Sequence, residues 1–304
     1  MNRRCRWRVV AIALLCAAAL VPMALAEGPC TLPSGKKLFE KRTITLPGGA
    51  ELTLAWIGKG LLSVREEYDE LCFYTYFGGE EEFNEAEKSR HSADEKPSAF
   101  YSPDKVPVKI ISKERIRAQV EGFWIGVCEV TQKQWESVMG SNPSYFRGEE
   151  LSVASLRAEL PVESVSWEDC AEFCRRTGLR LPLETEWLLA NGAIGRWNTQ
   201  SWRAKNSDNR THPVGRSRSN ESGIFDMGGN VSEWCADWYA PWPATPATNY
   251  VSPATGTAHV VWGGCWCTPE HFDRSLCEER LFLPPDCRYN NVGFRVCLTP
   301  SAAE

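Results

Sequence analysis

The sequence has 304 residues and a formal net charge of −5 at neutral pH, with 39 acidic against 34 basic residues. This balance argues against a nucleic acid as the partner, because domains that bind nucleic acids present basic surfaces to the phosphates. Thirteen tryptophans, 23 glycines and 19 prolines are typical of a loop-rich domain whose core is built around aromatic side chains. The four histidines are scattered and no C-x-x-C pair occurs, which argues against a zinc enzyme.

The first 26 residues have the organisation of a secretory signal peptide. Arginines at positions 3, 4, 6 and 8 precede an almost purely apolar run from Val9 to Ala26, and Ala24-Leu25-Ala26 forms a small-x-small cleavage site. Cleavage would leave 278 residues with 30 basic and 39 acidic side chains, in a secreted or periplasmic protein. The alternative is a retained membrane anchor, because eighteen apolar residues approach the minimum length of a transmembrane helix.

Eleven cysteines lie beyond the leader, and export to an oxidising compartment favours disulfides among them. They are Cys30, Cys72, Cys128, Cys170, Cys174, Cys235, Cys265, Cys267, Cys277, Cys287 and Cys297. An odd number leaves at least one thiol free, bonded to another molecule or bound to a metal.

The N-terminal third carries strand and loop signals. A lead-in of residues 27–43 precedes residues 44–62, where two alternating apolar runs flank Pro47-Gly48-Gly49 and predict a β-hairpin. The acidic stretch of residues 66–96 is interpreted as a surface excursion. Residues 106–111 and 120–127 predict two further strands.

Three helices are predicted in the centre of the chain. The first starts at Thr131, whose hydroxyl can form a capping box with Gln134, and ends at residue 140. The second has Ser166 as its N-cap and ends at residue 178, with Cys170 and Cys174 on one buried face. These two cysteines are interpreted as core or disulfide residues, with a metal-ligand pair as the alternative. A short third helix spans residues 184–190 and carries a tryptophan.

The C-terminal part predicts a long surface loop over residues 241–256, a strand over 259–262 and a closing strand over 293–296. Residues 299–304 form a tail. No repeat or linker divides the chain, so residues 44–298 are predicted to form one domain.

Residues 223–237, which read G-I-F-D-M-G-G-N-V-S-E-W-C-A-D, are the stretch most suggestive of a site. Gly228-Gly229-Asn230 is typical of a turn, since Gly and Asn tolerate positive φ. Asp226 and Glu233 lie on either side of it. Two carboxylates around exposed carbonyls would suit a hard cation, with calcium favoured by oxygen-only ligands. The alternative is a tight turn with solvated acids.

Six stretches, in order, resemble the formylglycine-generating enzymes, also called sulfatase-modifying factors. They are G-F-W-I-G-V-C-E-V-T-Q-K-Q-W (122–135), L-P-V-E-S-V-S-W-E-D-C-A-E-F-C (160–174), G-L-R-L-P-L-E-T-E-W (178–187), G-I-F-D-M-G-G-N-V-S-E-W-C (223–235), W-G-G-C-W (262–266) and N-V-G-F-R (291–295). The resemblance implies an α+β fold related to C-type lectins, loop-rich, with a small antiparallel sheet and few helices.

The resemblance also implies site residues. Calcium would be held by the side chains of Asp226 and Glu233 and by the carbonyls of Gly229 and Val231. It further implies a disulfide between Cys174 and Cys297, although Cys297 lies one residue beyond its counterpart in the family.

The enzymes of this family use oxygen and a copper ion held by two cysteine thiolates, ligands that suit Cu(I). Cys267 matches the first of these cysteines, whereas Phe272 stands at the position of the second. Cys265 is the alternative partner, because residues i and i+2 of a strand share a face. Trp266, Arg280 and Asn291 would line the substrate or ligand cleft.

Two functions follow from this comparison. The first is an exported, copper-dependent oxidase that converts a sulfatase cysteine to formylglycine. The second is favoured because Phe272 breaks the copper pair: a non-catalytic member, monomeric, that binds a protein or a small ligand in the C-terminal cleft. A sulfatase is one such partner, and a lectin-like binding protein diversified by a retroelement is a further alternative.

Overall fold

The computed structural model describes residues 40–67, 70–77, 113–148, 154–192, 201–243, 247–248, 250–269 and 280–301. These ranges contain four helices: α1 (Gln132–Met139), α2 (Ala154–Arg157), α3 (Trp167–Thr177) and α4 (Glu184–Asn191). They contain twelve strands: β1 (Lys41–Thr45), β2 (Glu51–Ile57), β3 (Gly60–Glu67), β4 (Glu70–Phe77), β5 (Lys113–Val120), β6 (Phe123–Gly126), β7 (Ser232–Trp238), β8 (Ala247–Thr248), β9 (His259–Trp262), β10 (Leu281–Leu283), β11 (Val292–Gly293) and β12 (Cys297–Leu298).

The strands form three sheets of four strands each. The first sheet has the order β1-β2-β6-β12, and all its pairs are antiparallel. The second has the order β10-β9-β7-β11, in which β11 runs parallel to β7. The third has the order β4-β3-β5-β8, with β8 parallel to β5. The α+β class with few helices is therefore confirmed, with three small sheets where the sequence predicted one.

The predicted hairpin is present at the start of the first sheet. Thr45 pairs with Glu51 across a turn that the Leu46 N–H closes on the Ala50 carbonyl at 2.8 Å. Gly48 has a φ of +88°, and a Cβ there would overlap the carbonyl of Ser137. Glycine is therefore required for its conformational freedom and for the close approach of α1.

The expected surface excursion over residues 66–96 is wrong in its first part. β3 continues to Glu67, and β4 pairs with it from Glu67↔Glu70 to Gly60↔Phe77. Acidic residues dominate this stretch, but β4 itself reads E-L-C-F-Y-T-Y-F, which is rich in residues that favour strands. Residues 78–112, including the strand predicted over 106–111, lie outside the described residues.

The helix boundaries agree with the capping predictions. Thr131 and Gln134 form the capping box of α1, and Ser166 and Asp169 form that of α3. α4 begins without a side-chain cap at Leu183; instead, Asp237 Oδ2 accepts the N–H of Glu184 at 2.6 Å. A distant strand therefore satisfies the amide that a local cap would otherwise bind.

The core has two apolar clusters on opposite faces of the first two sheets. One contains Trp187 of α4 and inward side chains of the third sheet. The other contains Trp234 and Phe294, together with Trp135 of α1 and Phe173 of α3. Neighbouring residues of one strand alternate between them, as Cys235 and Trp234 do on β7. Trp187, Trp234 and Phe294 are all fully buried, but on two faces and not in one group as the sequence suggested.

The predicted closing strand is shorter than expected. β11 stops at Gly293 and β12 begins at Cys297, so the intervening residues belong to neither strand. β12 and β1 lie on opposite edges of the same sheet, which joins the two ends of the predicted domain. Within the described ranges, no helix is long and apolar enough to cross a membrane.

Candidate functional site

The loop around residues 226–231 forms the expected tight turn, with a positive φ at Asn230 as predicted and a second one at Asp226 in place of the two glycines. Asp226 has a φ of +60° and Asn230 a φ of +66°. Asn230 is buried and donates through Nδ2 to Glu129 Oε2 at 2.8 Å. Gly229 is required for a different reason, because a Cβ there would overlap the carbonyl of Trp202.

A buried cluster of charged side chains lies beneath this loop. Arg295 Nε and Nη2 donate to the two oxygens of Glu233, both at 2.6 Å. Trp187 Nε1 donates to Glu233 Oε2 at 2.8 Å. The carboxylate of Asp226 accepts the N–H of Gly215 and the hydroxyl of Ser217.

Acidic side chains outnumber basic ones in this cluster. Three buried carboxyl groups, those of Glu129, Asp226 and Glu233, share one guanidinium, that of Arg295. Burial, and secondarily the field of Asp226, holds the pKa of Glu129 well above its usual range. Burial also raises the pKa of Asp226. A cation added to the cluster would lower both pKa values, since an opposite charge favours the ionised form.

The donor set fits the calcium expectation in its chemistry. An ionised carboxylate offers about four acceptor positions. Glu233 uses three of them and Asp226 two. Asp226 and Glu233, with the Gly229 and Val231 carbonyls, would hold the ion and join it to the turn. No group of three or more His, Cys, Asp or Glu side chains within the described ranges has the arrangement of a metal site, and the four expected ligands include only two such side chains.

Cys265 and Cys267 come together, but not on a strand. β9 ends at Trp262, and a turn closes residues 265–268 through the Thr268 N–H, which donates to the Cys265 carbonyl at 3.0 Å. The Cys265 N–H donates to Thr268 Oγ1 at 2.8 Å. The turn places the two sulfurs 3.2 Å apart. The expectation that an extended backbone would pair them is therefore wrong, although the pairing itself is observed.

Polar groups surround these two sulfurs. Asn291 Nδ2 lies 3.5 Å from Cys265 Sγ and 3.6 Å from Cys267 Sγ. The hydrogen bond from Cys267, helped by Thr268 and Asn291, lowers the pKa of Cys265 to about 6. The same bond raises the pKa of Cys267. The two thiols thus share one proton, and one of them ionises far more readily than the other.

The sulfur positions do not fit a linear copper bridge. With metal–sulfur bonds of about 2.3 Å, two sulfurs on opposite sides of one ion would lie about 4.6 Å apart. Cys265 and Cys267 are 3.2 Å apart and belong to one short turn. Phe272, at the position of the family's second copper cysteine, lies outside the described residues.

A row of aromatic rings leads from the thiol turn to the surface. Phe146 packs edge-on against Trp266 at 5.3 Å between ring centroids, and Tyr145 packs edge-on against Phe146 at 5.0 Å. Trp266 Nε1 donates to the Asn290 carbonyl at 3.1 Å, and the Phe146 N–H donates to Glu163 Oε1 at 2.8 Å. Tyr145 at the end of the row is 70% exposed.

Trp266 and Asn291 therefore belong with the two thiols, whereas the contacts of Arg280 lie in another group. Arg280 forms a bidentate ion pair with the buried Glu184 at 2.6 and 2.9 Å. Its guanidinium also lies over the rings of Tyr239 and Trp242. These contacts occupy the guanidinium, and the placing of Arg280 in the same cleft stays a prediction.

The structure does not contain the expected Cys174–Cys297 disulfide, since both residues are buried free cysteines. Cys174 belongs to the cluster under α3, whereas Cys297 belongs to the cluster on the opposite face of the sheet. The offset of one residue noted in the sequence is the physical reason, because the side chains of the neighbours Val296 and Cys297 lie in the clusters on opposite faces of the sheet. Val296 faces the cluster of Cys174.

Several important residues were missed in the sequence. Glu129 and Arg295 lie within two of the matched stretches, 122–135 and 291–295, but nothing local marks them as partners of Glu233. Glu163 lies within a third matched stretch, 160–174, whereas Tyr145 and Phe146 follow Asn142-Pro143-Ser144, where the sequence signals only a turn. Their roles depend on contacts between residues far apart in the chain.

The family model of the sulfatase-modifying factor enzyme 1-like domain matches residues 104–300. A formylglycine-generating enzyme from Streptomyces coelicolor is 31% identical over 187 residues, which cover 53% of this chain and 59% of that enzyme. A formylglycine-generating enzyme from Thermomonospora curvata is 32% identical over 197 residues, which cover 55% of this chain and 64% of that enzyme. The chain thus spans about three fifths of the length of these enzymes.

A chaperone protein LppX from Paenibacillus barcinonensis is 32% identical, with 47% of this chain and 69% of that protein covered. Among solved structures, variable protein 1 of Treponema denticola superposes with a TM-score of 0.61 at 24% identity, covering 86% of this chain and 99% of its own. PvdO from Pseudomonas aeruginosa superposes with a TM-score of 0.51 at 19% identity, and the superposition covers 84% of this chain and 97% of PvdO. These two likenesses concern the fold alone. By the family model that matches most of its length, the chain belongs to the family of sulfatase-modifying factor enzyme 1-like domains.

Proposed function

We propose that this chain is an exported, ligand-binding member of the family that does not itself oxidise cysteine to formylglycine. The observation that carries the proposal is the row of rings formed by Tyr145, Phe146 and Trp266, which ends at a largely exposed tyrosine. Export rests on the leader of residues 1–26.

The row has the properties of a binding surface. Tyrosine and tryptophan are enriched at protein interfaces because they offer a large contact area at a small cost in side-chain entropy. Here the Phe146 backbone is anchored on Glu163, and the Trp266 indole is anchored on a carbonyl. The rings are therefore held in position before a ligand arrives, which reduces the entropy lost on binding.

The polar side of the site suits a polypeptide ligand. Asn291 offers an amide next to the two thiols, and Cys267 is only half-buried. A peptide segment could place an apolar side chain on the rings and bond its backbone to the amide. A sulfatase segment is the first candidate, because the family is described as sulfatase-modifying.

The absence of oxidase activity is proposed from the cysteines. The family's second copper cysteine is replaced by Phe272, and the substitute pair has a sulfur separation too short for a linear copper bridge. The active oxidase is kept as the second candidate, because two thiols do meet beside Asn291.

Calcium is proposed as a structural ion at the buried charge cluster. Its role would be to neutralise the excess negative charge of Glu129, Asp226 and Glu233, and thereby to fix the turn over residues 226–231.

The binding proposal is tested with a fluorescently labelled cysteine peptide of the sulfatase type. We expect saturable binding by anisotropy, and Tyr145→Ala should weaken it roughly fivefold or more, since truncating an aromatic side chain that anchors an interface costs more than about 1 kcal/mol. Val251→Ala is the matched control, because Val251 is an exposed apolar residue of a separate loop. Absence of saturable binding, or equal weakening by both variants, would contradict the proposal.

The chemistry is tested separately. The protein is loaded with Cu(I) and mixed with the same peptide in the presence of oxygen. The masses of the peptide products are then measured by mass spectrometry. We expect no aldehyde. Turnover that disappears in Cys267→Ser would overturn the non-catalytic assignment and establish an oxidase with an altered cysteine pair.

A further inference from the structure

The thiol turn has a geometry that neither ligand binding nor copper chemistry requires. Its two sulfurs are in contact at 3.2 Å, and Thr268 Oγ1 lies 3.4 Å from Cys265 Sγ. Among the described cysteines, no other two sulfurs are in hydrogen-bonding contact. Cys265 is buried, whereas Cys267 is half-buried and is therefore the sulfur of the pair that an external molecule can approach.

We propose that Cys265 and Cys267 form a reversible dithiol–disulfide couple that undergoes thiol–disulfide exchange with external disulfides, either small or carried by a protein. The proposal needs only the geometry of residues 265–268 and 291, and therefore stands independently of the peptide-binding function.

The disulfide between Cys265 and Cys267 can form without a large change in the observed backbone. A disulfide bond is about 2.05 Å long, so the two sulfurs need to approach by roughly 1 Å. Rotation of the two side chains supplies such a shift, because the turn between the Thr268 N–H and the Cys265 carbonyl already brings the two residues together. Thr268 and Asn291 donate to a developing thiolate and stabilise it.

The reaction is balanced by the external disulfide. The reduced pair starts with Cys265 as the thiolate and Cys267 as the thiol. The proton moves from Cys267 to the Cys265 sulfur, and the resulting Cys267 thiolate attacks one sulfur of the external disulfide. That disulfide bond breaks, and its other half leaves as a thiolate. Cys265 then loses its proton to this leaving group and attacks Cys267. The mixed disulfide breaks and the second external thiolate is released. The two protein sulfurs are oxidised by two electrons, and one external disulfide is reduced to one thiol and one thiolate, which takes its proton from water.

The position of the couple gives it a class of substrate. Trp266, which joins the aromatic row of Tyr145 and Phe146, is the residue between the two cysteines, and Asn291 Nδ2 lies 3.6 Å from the Cys267 sulfur. A disulfide on an exposed peptide segment with an apolar neighbour would satisfy both. An exported protein would meet such disulfides in an oxidising compartment.

The test equilibrates the full-length, reduced protein with mixtures of oxidised and reduced glutathione, followed by acid quenching and peptide mass analysis. We expect the peptide that contains residues 265–267 to lose two hydrogens and to regain them with dithiothreitol. Phenylarsine oxide, a reagent for paired thiols, should bind this peptide once and block the mass change. Neither measurement depends on a variant that folds.

Two variants define the order of attack. Cys265→Ser should accumulate glutathione on Cys267, because the resolving thiol is gone, whereas Cys267→Ser should remove the exchange. Cys287→Ser is the matched control, since Cys287 is half-buried and has no contacting thiol among the described residues, and it should leave the exchange unchanged. A peptide that keeps both hydrogens at every glutathione ratio, or one bonded instead to another cysteine, would overturn the proposal.

Discussion

Arg295 and Glu233 form an ion pair in which both side chains are withdrawn from solvent, with exposed fractions of 0% and 1%. Arg295 also donates to the carbonyls of Gly126 and Phe225, each at 2.9 Å. The guanidinium therefore joins the first sheet, the second sheet and the loop that leads to Asp226. This makes it the structural centre of the charge cluster.

Arg295→Met should destabilise the protein by about 3–5 kcal/mol, because it leaves the buried Glu233 carboxylate unpaired beside two other buried acids. Urea unfolding measures this loss. Lys59→Met is the control: Lys59 pairs with Glu121 at 2.9 Å, but the two side chains are 47% and 75% exposed. An exposed pair contributes at most about 1 kcal/mol. Similar losses in both variants would contradict the central role of Arg295.

Calcium in excess should raise the melting temperature of the wild-type protein. An ion that binds only the native state stabilises it by about 2.7 kcal/mol when its free concentration is about 100 times Kd. Asp226→Asn should reduce the shift, because it removes one of the two charged ligands. Magnesium serves as the ion control, since it prefers a smaller octahedral site. If calcium in excess does not change the melting temperature of the wild-type protein, the calcium site is ruled out.

The free energy of unfolding should decrease as the pH rises from about 4.5 to about 7, because Glu163 loses its proton in this range. Burial raises the pKa of Glu163 from 4.5 to about 7, so the native state holds this proton more tightly than the unfolded state. The native state is therefore favoured at low pH. Above pH 7 the free energy of unfolding is lower than at pH 4.5 by about 3 kcal/mol. Glu163→Gln, which stays neutral, should match the wild type at pH 4.5 and exceed its stability at pH 8.

Urea unfolding of both proteins across this range measures the effect. Glu172→Gln is the control, because bonds from Arg175 and Arg176 lower the pKa of Glu172 to about 2 and keep it ionised throughout. If Glu163→Gln shows the same pH dependence as the wild type, Glu163 is not the titrating group.

Peptide mapping without reduction should find no bond between Cys174 and Cys297, because their side chains belong to clusters on opposite faces of the sheet. Val296→Cys places a thiol on the face of Cys174, and a disulfide should then form in air. Closing a loop of this length stabilises a protein by about 4–5 kcal/mol in the chain-entropy model. Recovery of a Cys174–Cys297 peptide pair from the wild type would contradict the observed register.

Local features of the fold were predictable because their causes are local. Thr131 and Ser166 cap helices through residues three positions away, and the turn at Gly48 follows from glycine and proline. β4 was missed because the acidic residues around it outweighed its strand-forming residues in the interpretation. The tertiary contacts of such a segment, and not its charge, decide its structure.

The site was less predictable because its geometry depends on distant partners. Nothing local in the sequence marks Glu184, 96 positions earlier in the chain, as the carboxylate partner of Arg280. Cys265 and Cys267 were paired for the wrong reason, since no sequence signal distinguished a turn from the end of a strand. The disulfide expectation illustrates the same limit: one residue of offset at Cys297 changes the face on which its thiol lies.

The alternation of Trp234 and Cys235 between two cores has a consequence for how this family can change its sequence. A one-residue shift in a strand that serves one core moves its apolar side chains from that core to the opposite face. β7 has no solvent face at these positions, so an inserted or deleted residue would exchange the side chains of both cores simultaneously. We therefore expect insertions and deletions to be tolerated in loops and not within residues 232–238.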